Sequence, residues 1–219
     1  MPFITKISLQ KKKGRYNVEI DEQFAFGVSE VLLAREGLYK GKELSLGQVE
    51  ALRQASEEDK LYEKALGFLS YRPRSRREVE IYLKRKVGKC SNTNSISNSN
   101  SNPNNCTGGV LARLEKQSYI NDTSFARWWV EQRQGGKNPK GPAIIKAELY
   151  QKGVAREVIE KAMEPVGSSK DLVEQAGKAR AARLKGLDKV AFKRRLSSYL
   201  LRRGFLWEDV KPVVDELSR

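Results

Sequence analysis

Tyr71-Arg-Pro-Arg-Ser-Arg-Arg-Glu78 decides how the rest of the chain is read. Ser75 and Glu78 stand three apart, the spacing of a capping box, so a helix opens here. Pro73 fits just ahead of the cap, because it disfavours helical geometry in the residue before it. Capping does not account for Arg72, Arg74, Arg76 and Arg77. Cations at a helix N-terminus oppose the macrodipole by about 0.3–1 kcal/mol each when poorly screened. Stability alone therefore does not select four arginines. They read as facing an acidic partner, with a merely solvated basic turn as the competing account.

Working outward from this turn, the chain is helical and it repeats. Leu61, Ala65, Phe68 and Leu69 form an apolar stripe before it; Val79, Tyr82 and Leu83 form the next. Val110, Leu111 and Leu114 form a third, ending near Tyr119-Ile120. The order recurs in Phe125, Trp128 and Trp129, then Ile145 and Leu149, then Val158, Ile159, Ala162 and Met163. It recurs again in Leu172, Val173 and Ala176, then Phe192, Leu196, Tyr199 and Leu200, then Val210, Val213, Val214 and Leu217. The second helices share a register: Leu83-Lys-Arg-Lys86, Leu149-Tyr-Gln-Lys-Gly-Val154 and Leu200-Leu-Arg-Arg-Gly-Phe205, with Gly153 and Gly204 as helix stops. These patterns predict a mainly α fold, an elongated curved array of tandem three-helix repeats. Repeat 1 spans 60–120, repeat 2 spans 121–166 and repeat 3 spans 167–219.

Residues 1–59 read as a small β-meander plus connector helices. Ile4 to Leu9 alternates, Lys11-Lys-Lys-Gly14 turns, Tyr16, Val18 and Ile20 point one way, and Phe24, Phe26 and Val28 give a third strand. Ser29 caps a short helix that Gly37 stops, and Leu46 to about Asp59 is a charged connector helix. Within repeat 1, residues 91–109 hold an almost pure Ser/Asn insert, expected to be disordered. Pro212 falls inside the last stripe and is tolerable if Asp209 caps a helix starting there.

The formal charge of +15 is uneven: residues 1–60 are net neutral, 61–110 are +6, 111–166 are +3 and 167–219 are +6. Such a balance points to nucleic acid or a strongly acidic protein surface. No run of apolar residues is long enough to span a membrane, and Met1-Pro-Phe-Ile-Thr-Lys lacks the build of a signal peptide. Two cysteines and no histidine leave no disulfide framework, no zinc site and no histidine-activated nucleophile. The expectation is a reduced, cytoplasmic protein without metal or cofactor. Gly135-Gly-Lys-Asn138 lacks the P-loop spacing, and Asn138 replaces the magnesium-binding hydroxyl. The acidic residues lie on charged helical faces beside Lys and Arg, so the chain reads as a non-enzyme.

The basic faces carry the functional reading. Arg77, Lys84 and Arg85 lie opposite Val79 and Leu83; Arg194, Arg195 and Arg202 lie opposite Phe192, Leu196 and Leu200. With the four leading arginines, and with loop residues Lys137 and Lys140, they form the candidate contact set. Ile81 and Leu201 sit within these faces, and apolar members suit a protein surface better than phosphates alone. Trp128 and Trp129 continue the stripe from Phe125, so core packing accounts for them before base stacking does. The helix from Lys189 to Arg203 carries too few bulky aromatics for a membrane-surface role.

Tyr71 to Glu78 with Leu83 resembles the first repeat of the RecX family, regulators of the RecA recombinase. Tyr119-Ile-Asn-Asp-Thr-Ser-Phe-Ala-Arg127, running to Arg133, is similar to the family's second block. Gly141-Pro142 with Ile145, Glu148-Leu149 and Lys152-Gly153 is similar to its third. Ile4 to Leu9, Tyr16 and the Phe26-to-Leu33 segment resemble the leader of many members. The chain departs from the pattern in its Ser/Asn insert and in Asn121 ahead of Asp122. The resemblance implies a helical-repeat protein of recombination and DNA repair that lies in the groove of the RecA–DNA filament. It further implies slowed ATP turnover and strand exchange and limited filament growth, with direct contact to single- or double-stranded DNA in some members. A monomer is the default for a row of repeats. Two other readings remain open on the residues alone: a sequence-independent DNA-binding protein acting without RecA, and a helical scaffold for another acidic protein.

Overall fold

Ser45 and Gln48 set where the longest helix begins, and that helix organises the first part of the fold. The Ser45 hydroxyl accepts from the Gln48 amide at 3.2 Å while the Gln48 side chain accepts from the Ser45 amide at 2.8 Å. The computed structural model describes residues 2–11, 14–90, 103–136, 138–164 and 169–218. In chain order the elements are β1 (Ile4–Leu9), β2 (Arg15–Ile20), β3 (Gln23–Ser29), α1 (Glu30–Arg35) and α2 (Leu46–Leu69). Then come α3 (Arg76–Cys90), α4 (Pro103–Lys116), α5 (Asp122–Gln134), α6 (Pro142–Gln151), α7 (Arg156–Met163), α8 (Ser169–Ala181), α9 (Lys189–Arg202) and α10 (Trp207–Leu217). The mainly α fold with a small N-terminal sheet is as the sequence predicts. The chain divides into two compact units, Met1–Arg72 with Val79–Tyr119, and Pro73–Glu78 with Ile120–Arg219.

In the first unit, β1, β2 and β3 form an antiparallel meander in that order. Val18, Phe26 and Val28 are buried with Ile4, Leu32 and Leu52. Phe24, two residues before Phe26 on the same strand, is exposed. The register shifts between Val18 and Glu19, so Phe24 pairs with Glu19 while Phe26 pairs with Val18. A bulge of this kind sends the residues beyond it to the other face. Ser29 caps α1 by accepting from the Leu32 amide, and Gly37 ends it at φ +55°.

α2 corrects the expected boundary at 59/60, which falls inside one continuous helix. Nothing between Gln48 and Leu66 breaks it, and a polar row along it ties sheet to helices. Ser56 donates its hydroxyl to the Gly27 carbonyl. The buried Arg15 guanidinium donates to the same carbonyl and to Glu63, each at 3.1 Å. Asp59 accepts from the Ser29 hydroxyl at 2.7 Å and from Arg113 at 2.8 Å. Farther along, Leu61 and Ala65 are buried, as are Val79, Leu83, Val110, Leu111 and Leu114 of α3 and α4. The Phe68 and Tyr82 rings stack at 4.1 Å, nearly parallel. The expected insert is shorter than 91–109, because α4 already begins at Pro103. Residues 91–102 and the 166/167 boundary lie outside the described residues.

The second unit holds two three-helix cores. Phe125, Trp129, Ile145, Leu149, Val154 and Ile159 centre the one built from α5, α6 and α7. Val173, Leu196, Leu200, Phe205, Val210 and Val213 centre the one built from α8, α9 and α10. Pro212 does not lie near a helix start at Asp209: α10 begins at Trp207, and Pro212 is interior and exposed. Its ring points to solvent and the helix forgoes the bond to the Glu208 carbonyl, while Val210, Val213 and Val214 hold the inner face.

Candidate interaction surface

The capping box at Ser75 forms as read. The Ser75 hydroxyl accepts from the Glu78 amide at 3.2 Å, and Glu78 accepts from the Ser75 amide at 3.4 Å. Ser75 is nevertheless fully buried. Its hydroxyl also donates to the Lys152 carbonyl at the end of α6, at 2.7 Å. The Arg76 amide donates to the Asp122 carboxylate at 2.8 Å, and the Lys152 ammonium pairs with Glu78 at 2.7 Å. Two carboxylates therefore stand at the start of α3, where they offset both the macrodipole and the local arginines. The segment from Pro73 to Glu78 is thus a docked joint on the α5–α7 bundle.

Gly153 completes the seat. It has φ +76°, and a Cβ there would stand 2.4 Å from Arg77 Cδ and 2.8 Å from Arg77 Cβ. The aliphatic stem of Arg77 lies where that side chain would be. The joint recurs one repeat later. The Gly141 amide, before α6, donates to the Arg203 carbonyl after α9 at 2.8 Å, and the Ala143 amide donates to the Gly204 carbonyl at 3.2 Å. Gly204 has φ +84°, and Ile144 occupies the space beside it. Lys152-Gly153 and Arg203-Gly204, aligned in sequence, each receive the start of the preceding second helix. At the start of α9, Asp188 serves as cap, accepting from the Val190 and Ala191 amides at 2.9 and 2.8 Å.

Beside the first joint lies a charged, aromatic cluster that sequence reading missed. Trp129 is buried and donates its indole N–H to Glu148 at 2.9 Å. Arg133 donates to the same oxygen at 2.7 Å, and Lys140 pairs with the other. Arg133 and Lys152 lie over the Trp129 ring at 4.2 and 4.4 Å. Burial acts to raise the Glu148 pKa, but the bonds from Lys140, Arg133 and Trp129 prevail and hold it below the usual carboxylate value. Lys140, read from sequence as a partner contact, is engaged here within the bundle. Lys137 lies outside the described residues.

The other candidates divide by unit. Arg72, Lys84 and Arg85 belong to the first; Arg72 is half-buried, Lys84 pairs with Glu80 at 2.7 Å, and Arg85 is exposed. Arg74, Arg76, Arg77, Arg194, Arg195 and Arg202 belong to the second. Arg74 is half-buried, whereas the other five are exposed. Arg194, Arg195 and Arg202 make no ion pair among the described residues, and Ile81 and Leu201 stand exposed at 48% and 43%. No described helix is long and apolar enough to cross a membrane.

Three family profiles match along this order of elements. They are described as the regulatory protein RecX N-terminal domain over residues 2–45, the first RecX three-helix domain over 62–87 and the second over 121–163. A regulatory protein RecX of Bacillus subtilis (strain 168) is 34% identical, covering 100% of this chain and 78% of its own length. The chain belongs to the RecX family. A Listeria monocytogenes member (serotype 4a, strain HCC23) is 35% identical over 98% of this chain and 76% of its own. The Lactobacillus johnsonii member (strain CNCM I-12250 / La1 / NCC 533) is 40% identical over 73% of this chain, which spans 54% of that protein. A crystal structure of regulatory protein RecX superposes with a TM-score of 0.73 at 27% identity, covering 98% of this chain and 100% of the other. Relatives of this family are named as regulators, not as enzymes. Asn121, the departure noted before Asp122, is the N-cap of α5 and accepts from the Ser124 amide at 3.0 Å.

Proposed function

We propose that this protein binds the RecA–DNA filament and restrains it, slowing ATP turnover, filament growth and strand exchange. Family membership supports the partner. The observation that carries the surface is the joint at Ser75, which holds Arg76 and Arg77 exposed on a fixed seat. Arg194, Arg195 and Arg202 add a second group of exposed cations on α9. Contacts that are weak singly reinforce one another along one polymer, because each raises the effective concentration of the next. Bound across neighbouring protomers, the protein would oppose the relative motions that hydrolysis and strand exchange need. It would act in the cytoplasm as a monomer. RecA ATPase on single-stranded DNA should fall as the protein is titrated; unchanged turnover at saturating protein rules the reading out. The unpaired arginines of α9 also favour a second reading, sequence-independent DNA binding without RecA. Exposed Ile81 and Leu201 among the cations weigh against phosphates as the sole target.

A further inference from the structure

We infer that Asp122 is a positioning residue for the arginine turn: its carboxylate fixes the first turn of α3, so that Arg76 and Arg77 leave the bundle in one direction. The inference rests on the turn being a contact with the partner. Asp122 holds the Arg76 amide at 2.8 Å, one residue from the buried Ser75 that grips the Lys152 carbonyl. Arg77 then runs its stem over Gly153, in the space that a side chain there would fill. At the equivalent joint the residue over Gly204 is Ile144, so an apolar side chain satisfies the seat. The first joint places a guanidinium on the end of that stem, which the packing does not call for. Long flexible cations lose rotamer freedom on binding, and a seat that restricts them beforehand lowers that cost.

Charge and position predict opposite results for Asp122→Ala. Removing a carboxylate adds one positive charge, so simple attraction to an acidic partner tightens binding. Loss of positioning weakens it, by about fivefold if one well-placed charged contact is forfeited. Affinity is measured by fluorescence anisotropy on single-stranded DNA coated with RecA and on the naked oligonucleotide. The expected result is weaker binding of Asp122→Ala to the coated DNA, with Asp122→Asn, which keeps the acceptor oxygen, binding at least as tightly as wild type. The loss should vanish in an Arg76→Met/Arg77→Met background, where nothing is left to position. Unchanged or tighter binding by Asp122→Ala, an equal loss in Asp122→Asn, or a loss that persists in that background overturns the inference. If the two methionine substitutions alone leave affinity at the wild-type value, the arginine turn is no contact, and the proposed surface falls with it. Circular dichroism checks folding. Should Asp122→Ala be unfolded at the assay temperature, Ser75→Ala severs the same joint and carries the same expectation.

Discussion

Glu148 shows how far a side chain's surroundings decide its role. From sequence it is one more acid on a charged helix, yet it gathers Trp129, Arg133 and Lys140 on its two oxygens. These donors hold its pKa below the usual range against the opposing effect of burial. A carboxylate whose folded pKa is depressed contributes stability above its unfolded value, about pH 4.3, and loses that contribution as pH falls through the folded value. Glu148→Gln should therefore cost about 1–2 kcal/mol near neutral pH, because part of the donor set is left without its charged acceptor. The gap between the two proteins should close as pH falls through the depressed folded value of Glu148, where the wild-type carboxylate takes up a proton. Urea melts at neutral and acidic pH measure this. A gap that stays constant with pH would mean that shape, not charge, holds the cluster. Lys140 belongs to the same lesson: its sequence position in a basic loop suggested a partner, and only the fold brings Glu148 to it.

The helices were legible because their signals are local. The capping box at Ser75, the Ser29 cap and the apolar stripes each lie within a few residues of what they specify. What escaped depends on distant backbone. The bulge that turns Phe24 outward is a property of two strands, and the joint between α6 and α9 leaves only glycines as its trace. Gly153 and Gly204 could be read as helix stops but not as seats. Two left-handed glycines of the second unit separate these roles. Gly186 has φ +91° with nothing within 4 Å of an added Cβ, so Gly186→Ala should cost only backbone strain, about 1–2 kcal/mol. At Gly204 an added Cβ meets the Ile144 backbone nitrogen at 2.7 Å. Gly204→Ala should therefore cost about 2–4 kcal/mol, since strain and overpacking both act. Thermal melts that rank the two variants equally would show that the close approach at the joint relaxes freely.

Across the whole molecule, charge is partitioned by position in the chain. The first 60 residues are neutral and all of the +15 lies beyond them, in the stretches that hold the three-helix groups. The sequence displayed this partition and the repeat register openly. It could not tell which cations are committed internally, as Lys140 is to Glu148, and which stand exposed, as Arg77, Arg194, Arg195 and Arg202 do. The two proposed targets differ in how they answer salt. Binding to naked DNA releases condensed counterions, and neutralising about six phosphates loses on the order of a thousandfold in affinity between about 50 and 200 mM salt. A folded acidic surface holds no comparable condensed layer, and contacts with apolar members are screened less. If RecA is the target, affinity for RecA-coated single-stranded DNA should fall only on the order of tenfold over the same range. Titrations at several salt concentrations give both slopes. Parallel slopes on coated and naked strands would mean that phosphate is the ligand in each case, and the exposed arginines would then belong to DNA binding alone.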